Sequence, residues 1–377
     1  MNILCIVIDC GRFDSWGCNG FNRNTPNIDN LAEKSILYTN AYTTAPYTPA
    51  AIASLFTGKY PYEHGIRTMY GSCLDSDVKT VPEILQGQGW NTAGFVGYAG
   101  LLSYYGLDRG FNFFDEDSDL SKNWGKTKAG WKGNDWRKMY TSYCKNLKKD
   151  NNFIFAHYFF AHTGGEKALP EEYKKADTSR HKYFQYYDKK IEWFDKEWLP
   201  LILEPWDLDN TAVIMLADHG ECFDVKKEPG GHRTNLFQDT VHIPLMIHDI
   251  VIEGGGIDSK LKSNIDIFSN ITECSHTADT IYFETTNEDK PDQPTFRAGL
   301  TDGKKKVTAE GENIGEIINI EGCYEVDEEK EKEIDLDQDC GKLFQELMAN
   351  EEMKREMNVK WDAQEAHIET LKQLGYM

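Results

Sequence analysis

Two apolar runs of the chain end in side chains that commonly bind metal ions. The run Ile3–Ile8 is followed by Asp9, and the run Ala212–Ala217 is followed by Asp218-His219. Ligands bind at the carboxyl ends of strands in an α/β sheet, and a carboxylate beside an imidazole suits Zn²⁺, Mn²⁺ or a similar ion. An aspartate at a strand end can also be an ordinary cap or turn residue. The residues alone therefore leave metal binding and a structural role equally open.

A threonine at a predicted helix start is the second chemical feature. Thr48 is followed by Pro49 and then by small, helix-forming residues, which predicts that Thr48 lies at or near a helix N-terminus. One interpretation is that its hydroxyl only caps the helix, and residue chemistry alone favours this role. The other is a nucleophile, because a helix N-terminus and a metal ion both stabilise an alkoxide.

The elements that would position these residues alternate between strands and helices. Short, nearly continuous apolar runs are typical of parallel strands covered on both faces. Their alternation with helical segments up to about residue 250 predicts an α/β fold with a mostly parallel central sheet. The predicted strands are Ile3–Ile8, Thr92–Val96, Phe153–Phe160, Ala212–Ala217 and Ile243–Ile247, and the predicted helices are Asn27–Lys34, Pro49–Leu55, Val81–Gln88 and Tyr183–Leu203.

The C-terminal region has a different character. A turn signal at Thr301–Lys304 between two strand-like runs predicts an antiparallel hairpin. Further strands are predicted at Ile317–Ile320 and Tyr324–Val326, and a closing helix from about Gly341 to Leu374. We therefore expect a larger domain over residues 1–290 and a small α+β subdomain over 291–377. Residues 117–150 are predicted to be a lid or insertion, and the acidic run 327–333 a solvated loop.

Composition excludes several classes of partner. A formal net charge of −21 over 377 residues repels nucleic acids and anionic membranes, and no run approaches the roughly 18 apolar residues of a transmembrane helix. Because no basic segment precedes the first apolar run, we expect no export signal and a cytoplasmic location. The nine cysteines are scattered and form no CxxC pair, which predicts free thiols rather than disulfides.

Further motifs follow Asp9 in a recognisable order: TPNIDNLAEKSILYTNAYT, TPAAIASLFTGKYPYEHGI, GLDRGFNFF, LADHGE, HIPLMI and LKQLGYM. In this order the chain resembles the sulfatase branch of the alkaline phosphatase superfamily over nearly its whole length. The resemblance implies a central sheet sandwiched by helices, with a smaller C-terminal sheet. It also implies that Asp9, Asp218 and His219 bind a metal ion, with the Thr48 oxygen as a further ligand.

The chain departs from the sulfatase pattern at the residues that cleave sulfate esters. That pattern is Cys or Ser, any residue, Pro, any residue and Arg, and the corresponding positions here hold Thr48, Ala50 and Ile52. Threonine cannot become formylglycine, because its Cβ carries a methyl group. The paired aspartates of a typical sulfatase are here Asp9-Cys10, and we interpret Cys10 as a structural thiol. Residues 97–100 lack the cations that bind sulfate in the family.

A threonine at this position resembles the phosphoryl-handling relatives of the sulfatases. It implies a metal-dependent hydrolase of phosphate or phosphonate esters, in the phosphodiester or phosphonate monoester class, with a phospho-threonine intermediate. The alternatives are hydrolysis of sulfate esters without formylglycine, a phosphoryl or phosphoethanolamine-type transferase, and a non-catalytic binding protein on the same scaffold. The expected partner is a small anionic ester, and the oligomeric state stays open.

The resemblance also implies roles for other polar residues. His162 matches the family's substrate-contacting histidine, and His232-Arg233 lies near the position of a substrate-binding lysine. We expect His162 and His232 to contact the substrate or donate a proton, whereas Arg233 either binds substrate or lies on the surface. His157, inside a predicted strand, is interpreted as a core residue.

One divalent ion, Mn²⁺, Zn²⁺, Ca²⁺ or Mg²⁺, is expected. Two-metal relatives carry a further aspartate with a nearby histidine, and the helix at Tyr187–Trp198 has no histidine beside its aspartates. We interpret that helix as structural and His64 as a structural turn residue. Arg12 and Asp14 are expected to support the site without taking part in the chemistry.

Overall fold

A computed structural model describes most of the chain. The described residues are 1–97, 102–116, 140–141, 143–145, 147, 149–159, 161–162, 169, 173, 182–223, 231–250, 254–272, 278–287, 295–314, 317, 319–327 and 331–354. Most of the predicted lid and the chain beyond residue 354 lie outside them.

Ten strands lie in the described part of the N-terminal region. They are β1 (Asn2–Ile8), β2 (Ile36–Tyr38), β3 (Ala41–Tyr42), β4 (Asn91–Val96), β5 (Phe113–Glu116), β6 (Asn152–Tyr158), β7 (Thr211–Ala217), β8 (Leu245–His248), β9 (Gly256–Asp258) and β10 (Lys262–Ser263). Eight of them form the central sheet in the order β5-β4-β6-β1-β7-β8-β2-β9, and β3 pairs with β10. The neighbouring strands β5, β4, β6, β1 and β7 are mutually parallel. The next strand, β8, is antiparallel to both β7 and β2.

Helices surround this sheet and continue into the C-terminal region. They are α1 (Pro26–Ala32), α2 (Thr48–Thr57), α3 (Pro61–His64), α4 (Val81–Gly87), α5 (Lys182–Trp193), α6 (Leu199–Leu203), α7 (Gln238–Val241), α8 (Asp266–Thr272) and α9 (Gln338–Ala349). A π-helical turn, Phe194–Trp198, joins α5 to α6, so the long helix predicted at Tyr183–Leu203 is confirmed. None of the described helices is long and apolar enough to cross a membrane.

The apolar runs explain the centre of the fold. Every residue of β1 and of β6 is buried, as expected for parallel strands with helices on both faces. The predicted α/β fold is therefore confirmed, and the five predicted strands correspond to β1, β4, β6, β7 and β8 within a few residues.

The C-terminal region contains a separate antiparallel sheet. Its strands, in spatial and chain order, are β11 (Ile281–Asn287), β12 (Thr295–Thr301), β13 (Lys305–Gly311), β14 (Asn319–Val326) and β15 (Glu331–Glu333). Residues of α9 pack on the apolar face of the sheet. The predicted hairpin is confirmed. The strand β11 lies wholly before residue 290, yet it pairs with β12 and contributes Tyr282 to the same apolar cluster.

Three predictions for this region are wrong in detail. The two short strands predicted between 317 and 326 are one strand, β14, which continues through a register shift. The acidic run is not all loop, because β15 pairs with β14 and Glu331 contacts the buried ammonium of Lys306. The closing helix α9 ends at Ala349, earlier than predicted, and the predicted part beyond residue 354 lies outside the described residues.

The expectation of free thiols is wrong for two cysteines. Cys323 on β14 and Cys340 on α9 form a disulfide, because the helix packs on the sheet and holds their Cα atoms 6.2 Å apart. Among the described residues, six further cysteines form no disulfide: Cys5, Cys10, Cys18, Cys73, Cys144 and Cys222.

Candidate active site

Two buried carboxylates lie side by side where β1 and β7 end. Ile8 is in register with Ala217, so Asp9 and Asp218 leave the sheet together. The Cys10 amide donates to Asp218 Oδ1 at 3.2 Å and fixes this carboxylate. Burial raises the pKa of Asp9 well above its ordinary value, and the negative charge of Asp218 adds to the rise. Burial alone would raise the pKa of Asp218 as well, but the adjacent His219 and His157 lower it to about 2.

Thr48 is the first residue of α2, and its hydroxyl does not cap the helix. The cap residue is Tyr47, which makes no capping side-chain bond. The Thr48 hydroxyl instead donates to Asp9 Oδ2 at 3.0 Å and lies 3.4 Å from His219 Nε2. Only 3% of the residue is exposed, so the hydroxyl lies in the site at the positive end of the helix dipole.

His219 directs the lone pair of Nε2 toward the Thr48 hydroxyl. Its Nδ1 lies 2.8 Å from the Gly220 carbonyl oxygen, which can only accept, so Nδ1 carries the proton and Nε2 does not. Burial lowers the pKa of His219 and keeps the ring neutral. A neutral imidazole oriented by a backbone carbonyl is a typical metal ligand.

The donor set fits a divalent ion. Within the described part of the chain, Asp9 Oδ1 and Asp218 Oδ2 are buried and accept no hydrogen bond. Two buried, incompletely bonded carboxylates are costly without a cation. Asp9, Thr48, Asp218 and His219 therefore have the chemistry to hold such an ion.

His157 is a site residue that the sequence interpretation missed. It pairs with Val7, two residues before Asp9, and its side chain shares a face of the sheet with Asp9. Its Nε2 lies 3.7 Å from Asp9 Oδ2 and 3.8 Å from Asp218 Oδ2. The ring is fully buried, as expected for a core residue, but its position beside both carboxylates was not anticipated. Only the register of β6 against β1 reveals this position.

Two further histidines extend the site from His219. The rings of His219 and His232 stack at 4.5 Å between centroids, and His162 meets His232 edge to face at 5.2 Å. Glu221, which the sequence analysis did not single out, is fully buried and lies 3.1 Å from His232 Nδ1. Burial would raise the pKa of Glu221, but the His232 ring lowers it to about 2. A carboxylate thus orients His232, as in many proton-transferring sites.

Cys10 lies between the carboxylates and these histidines. Its backbone has φ 55°, in the left-handed region that is uncommon for residues other than glycine. Its Sγ lies 3.9 Å from His232 Nδ1. Burial raises the pKa of the thiol well above its ordinary value, and the charges of Asp9 and Glu221 raise it further.

The arginines next to the site hold its loops. Arg12 donates to the Glu221 carbonyl at 2.6 Å and pairs with Asp14 and Asp239. It therefore links the end of β1 to the loop after β7, in line with the supporting role expected for Arg12 and Asp14. The Arg233 guanidinium donates to the Tyr70 hydroxyl at 3.0 Å.

Two groups of positions depart from the sulfatase pattern. Ala50 and Ile52, at the Pro and Arg positions of that pattern, are fully buried on α2. Of the segment matched to the sulfate-binding cations, residues 98–100 lie outside the described residues. On the long helix, Asp195 accepts from the amides of Asn27 and Ile28 at the start of α1. That contact is structural, as expected for this helix.

The comparisons with known proteins decide the family. The family model described as Sulfatase matches residues 1–277. The chain belongs to the sulfatase family. An ulvan-active sulfatase of Formosa agariphila is 25% identical over 292 residues, which cover 65% of this chain and 55% of that protein. This sulfatase-family chain thus spans about half the length of the curated relatives it matches.

Two solved structures resemble the sulfatase-family chain in fold. One is a 2-O GAG sulfatase with TM-score 0.70 and 15% identity, covering 96% of each chain. The other is the phosphonate monoester hydrolase of Agrobacterium radiobacter, with TM-score 0.69 and 16% identity, covering 100% of this chain and 95% of that one. The predicted membership and the predicted architecture are both confirmed.

Proposed function

We propose that this sulfatase-family chain hydrolyses phosphate or phosphonate esters, of the phosphodiester or phosphonate monoester class, with Thr48 as nucleophile. The observation that carries the proposal is the contact of the Thr48 hydroxyl with Asp9 and His219 at the start of α2. A hydroxyl that only capped the helix would face the backbone amides of its first turn. The substrate is a small anionic ester.

Asp9, Thr48, Asp218 and His219 would hold one divalent ion. When bound, the ion would lower the pKa of the Thr48 hydroxyl and offset negative charge on the transferring group. Zn²⁺, Mn²⁺, Ca²⁺ and Mg²⁺ are the candidates.

Thr48 then carries the transferring group between two displacements. The Thr48 hydroxyl passes its proton to Asp9 Oδ2, which it contacts, while Oγ attacks phosphorus, a P–O bond forms, and the bond to the leaving oxygen breaks in line with it. His162 or His232 donates a proton to the leaving oxygen, and Glu221 holds the His232 ring for this step. Water next gives a proton to that histidine and attacks phosphorus, the bond to Thr48 breaks, and Oγ regains its proton from Asp9. The start of α2 directs its amides at the anion throughout.

A second candidate is hydrolysis of sulfate esters without formylglycine. The names of the relatives favour it, since the Formosa protein is an ulvan-active sulfatase and a human relative, 30% identical over 128 residues, is an N-sulphoglucosamine sulphohydrolase. Thr48 cannot form the aldehyde hydrate that expels sulfate in such enzymes, so we rank this candidate second.

Matched p-nitrophenyl esters distinguish the two candidates. The phosphodiester, phosphonate and sulfate esters are compared by kcat/KM after loading with each candidate metal. We expect the better phosphorus ester to exceed the sulfate ester by about tenfold or more. A Thr48→Ala preparation measures contaminating phosphatase activity. A clear preference for the sulfate ester contradicts the proposal.

The cellular location is also proposed. The six described cysteines that form no disulfide favour the reducing cytoplasm, whereas the Cys323–Cys340 disulfide is more usual elsewhere. We propose a cytoplasmic location, because more of the described cysteines lie outside the disulfide than in it. Cell fractionation tests this, and recovery of the protein from a periplasmic fraction or from the culture medium contradicts it.

A further inference from the structure

Five donor atoms form a closed ring around the point where Asp9 and Asp218 meet. Around the ring, Asp9 Oδ2 lies 3.0 Å from Thr48 Oγ1, which lies 3.4 Å from His219 Nε2. His219 Nε2 is 3.5 Å from Asp218 Oδ2, and His157 Nε2 closes the ring at 3.8 Å and 3.7 Å from the two carboxylates. The family resemblance implies four of these donors, and nothing in it implies the fifth.

The spacing of the ring is that of ligands around one ion. Donors bound to Zn²⁺ at about 2.0–2.2 Å lie about 3–3.5 Å apart when neighbouring bonds are at right angles or tetrahedral. Four of the five donors therefore need no large movement, and His157 needs an approach of a few tenths of an ångström. His157 sits on the central strand β6, so its position is set by the sheet and not by a loop.

We infer that His157 is a metal ligand and that it makes this site selective for a transition metal. The inference rests on the proposed metal site. Position 10, where typical sulfatases have a second aspartate, holds Cys10, and His157 takes the place of that missing ligand. The donor set becomes two carboxylates, one hydroxyl oxygen and two imidazole nitrogens. Donor sets with two imidazoles suit Zn²⁺ or Fe²⁺, whereas Ca²⁺ and Mg²⁺ prefer oxygen ligands.

The first test counts the imidazole ligands in the unaltered protein. Pulsed electron paramagnetic resonance of the Mn²⁺- or Cu²⁺-loaded protein detects the remote or bound nitrogens of each coordinated histidine. We expect the signature of two imidazoles. The signature of one imidazole overturns the inference, and this measurement needs no variant that might misfold and no substrate.

The second test uses His157→Gln, with Asp218→Ala and His242→Gln as references. His242 is a buried histidine that contacts the Thr39 carbonyl. Metal competition against a chelator gives the affinity for Zn²⁺ and for Ca²⁺. We expect His157→Gln to lose more than about 100-fold in Zn²⁺ affinity, because altering a partner of a ligand already costs 10–100-fold. Ca²⁺ affinity should fall far less.

The two reference variants distinguish a wrong metal site from a wrong role for His157. Asp218→Ala should lose both ions, and His242→Gln should bind both as the parent does. If Asp218→Ala retains its metal, the proposed site itself is wrong. If Asp218→Ala loses metal while a folded His157→Gln keeps its Zn²⁺ affinity, only the role of His157 is wrong. Absence of turnover with every ester contradicts the proposed function and leaves the ligand count unaffected.

Discussion

Thr48 combines a helix start, a carboxylate contact and an imidazole contact in one side chain. Each of these would act on the hydroxyl proton or on the oxygen that remains after its loss. We therefore expect Thr48→Ala to lower kcat by about 10⁴-fold or more, as removal of a nucleophile does elsewhere. Thr48→Ser keeps the oxygen and should retain measurable turnover. Steady-state kinetics on the best phosphorus ester measure both.

The fold of the Thr48 variants is the control. Circular dichroism should match that of the parent and the melting temperature should stay close to it, since no side-chain hydrogen bond caps α2 at its start. Turnover by Thr48→Ala within tenfold of the parent would exclude Thr48 as nucleophile.

Part of the site was predictable because strand ends and helix starts can be recognised in sequence. Asp9, Asp218 and His219 follow apolar runs, and Thr48 precedes Pro49. His157 was not predictable in this way. It lies in the middle of an apolar run, and its role depends on which residue of β1 it faces.

At the scale of elements, prediction succeeded where burial on both faces leaves a strong pattern. β1, β4, β6 and β7 are long and apolar. The strands β2, β3, β9 and β10 have only two or three residues, which is too short for a periodic pattern. Pairing across the sheet, and not local composition, defines such strands. For the same reason the contact of β14 with α9 that joins Cys323 to Cys340 has no local signal.

A buried histidine links α2 to α3. His64, the last residue of α3, accepts from the Ile66 amide at 3.1 Å, so its other nitrogen donates to Ser54 Oγ on α2. Burial lowers the pKa of His64 to about 3. As pH falls, His64 of the unfolded chain, with a pKa of about 6.5, therefore becomes protonated at a higher pH than His64 of the folded chain. The contribution of His64 to stability is full above about pH 6.5 and is lost progressively below it.

We expect this linkage to appear in urea unfolding. Between about pH 7.5 and about pH 5, His64 should account for a loss of about 2 kcal/mol in the free energy of unfolding. His64→Asn should lose that much less than the parent over the same range, although it starts from lower stability. Equal losses in the two proteins would show that His64 is protonated in the folded state.

At the scale of the whole molecule, a buried ion pair joins the region of the central sheet to the C-terminal antiparallel sheet. Arg67, in the loop after α3, forms a two-pronged pair with Glu284 on β11 at 2.6 Å and 2.7 Å, and both side chains are at most 1% exposed. Arg67 also donates to the Met353 carbonyl at 2.8 Å, and the Glu284 amide donates to the Thr44 carbonyl at 3.0 Å. The C-terminal sheet is therefore attached beside α2, the helix that begins at Thr48.

Because this pair is buried, removing one charge should cost more than removing both. Glu284→Met leaves the Arg67 guanidinium buried without its partner, and we expect a loss of about 3–5 kcal/mol in the free energy of unfolding. Adding Arg67→Met removes the stranded charge and should recover about 2 kcal/mol or more, since apolar replacements of buried pairs are often well tolerated. Urea unfolding of the parent, both single variants and the double variant measures this. A double variant less stable than Glu284→Met would mean that the contacts of Arg67 with the backbone, and not its charge pairing, attach the C-terminal sheet.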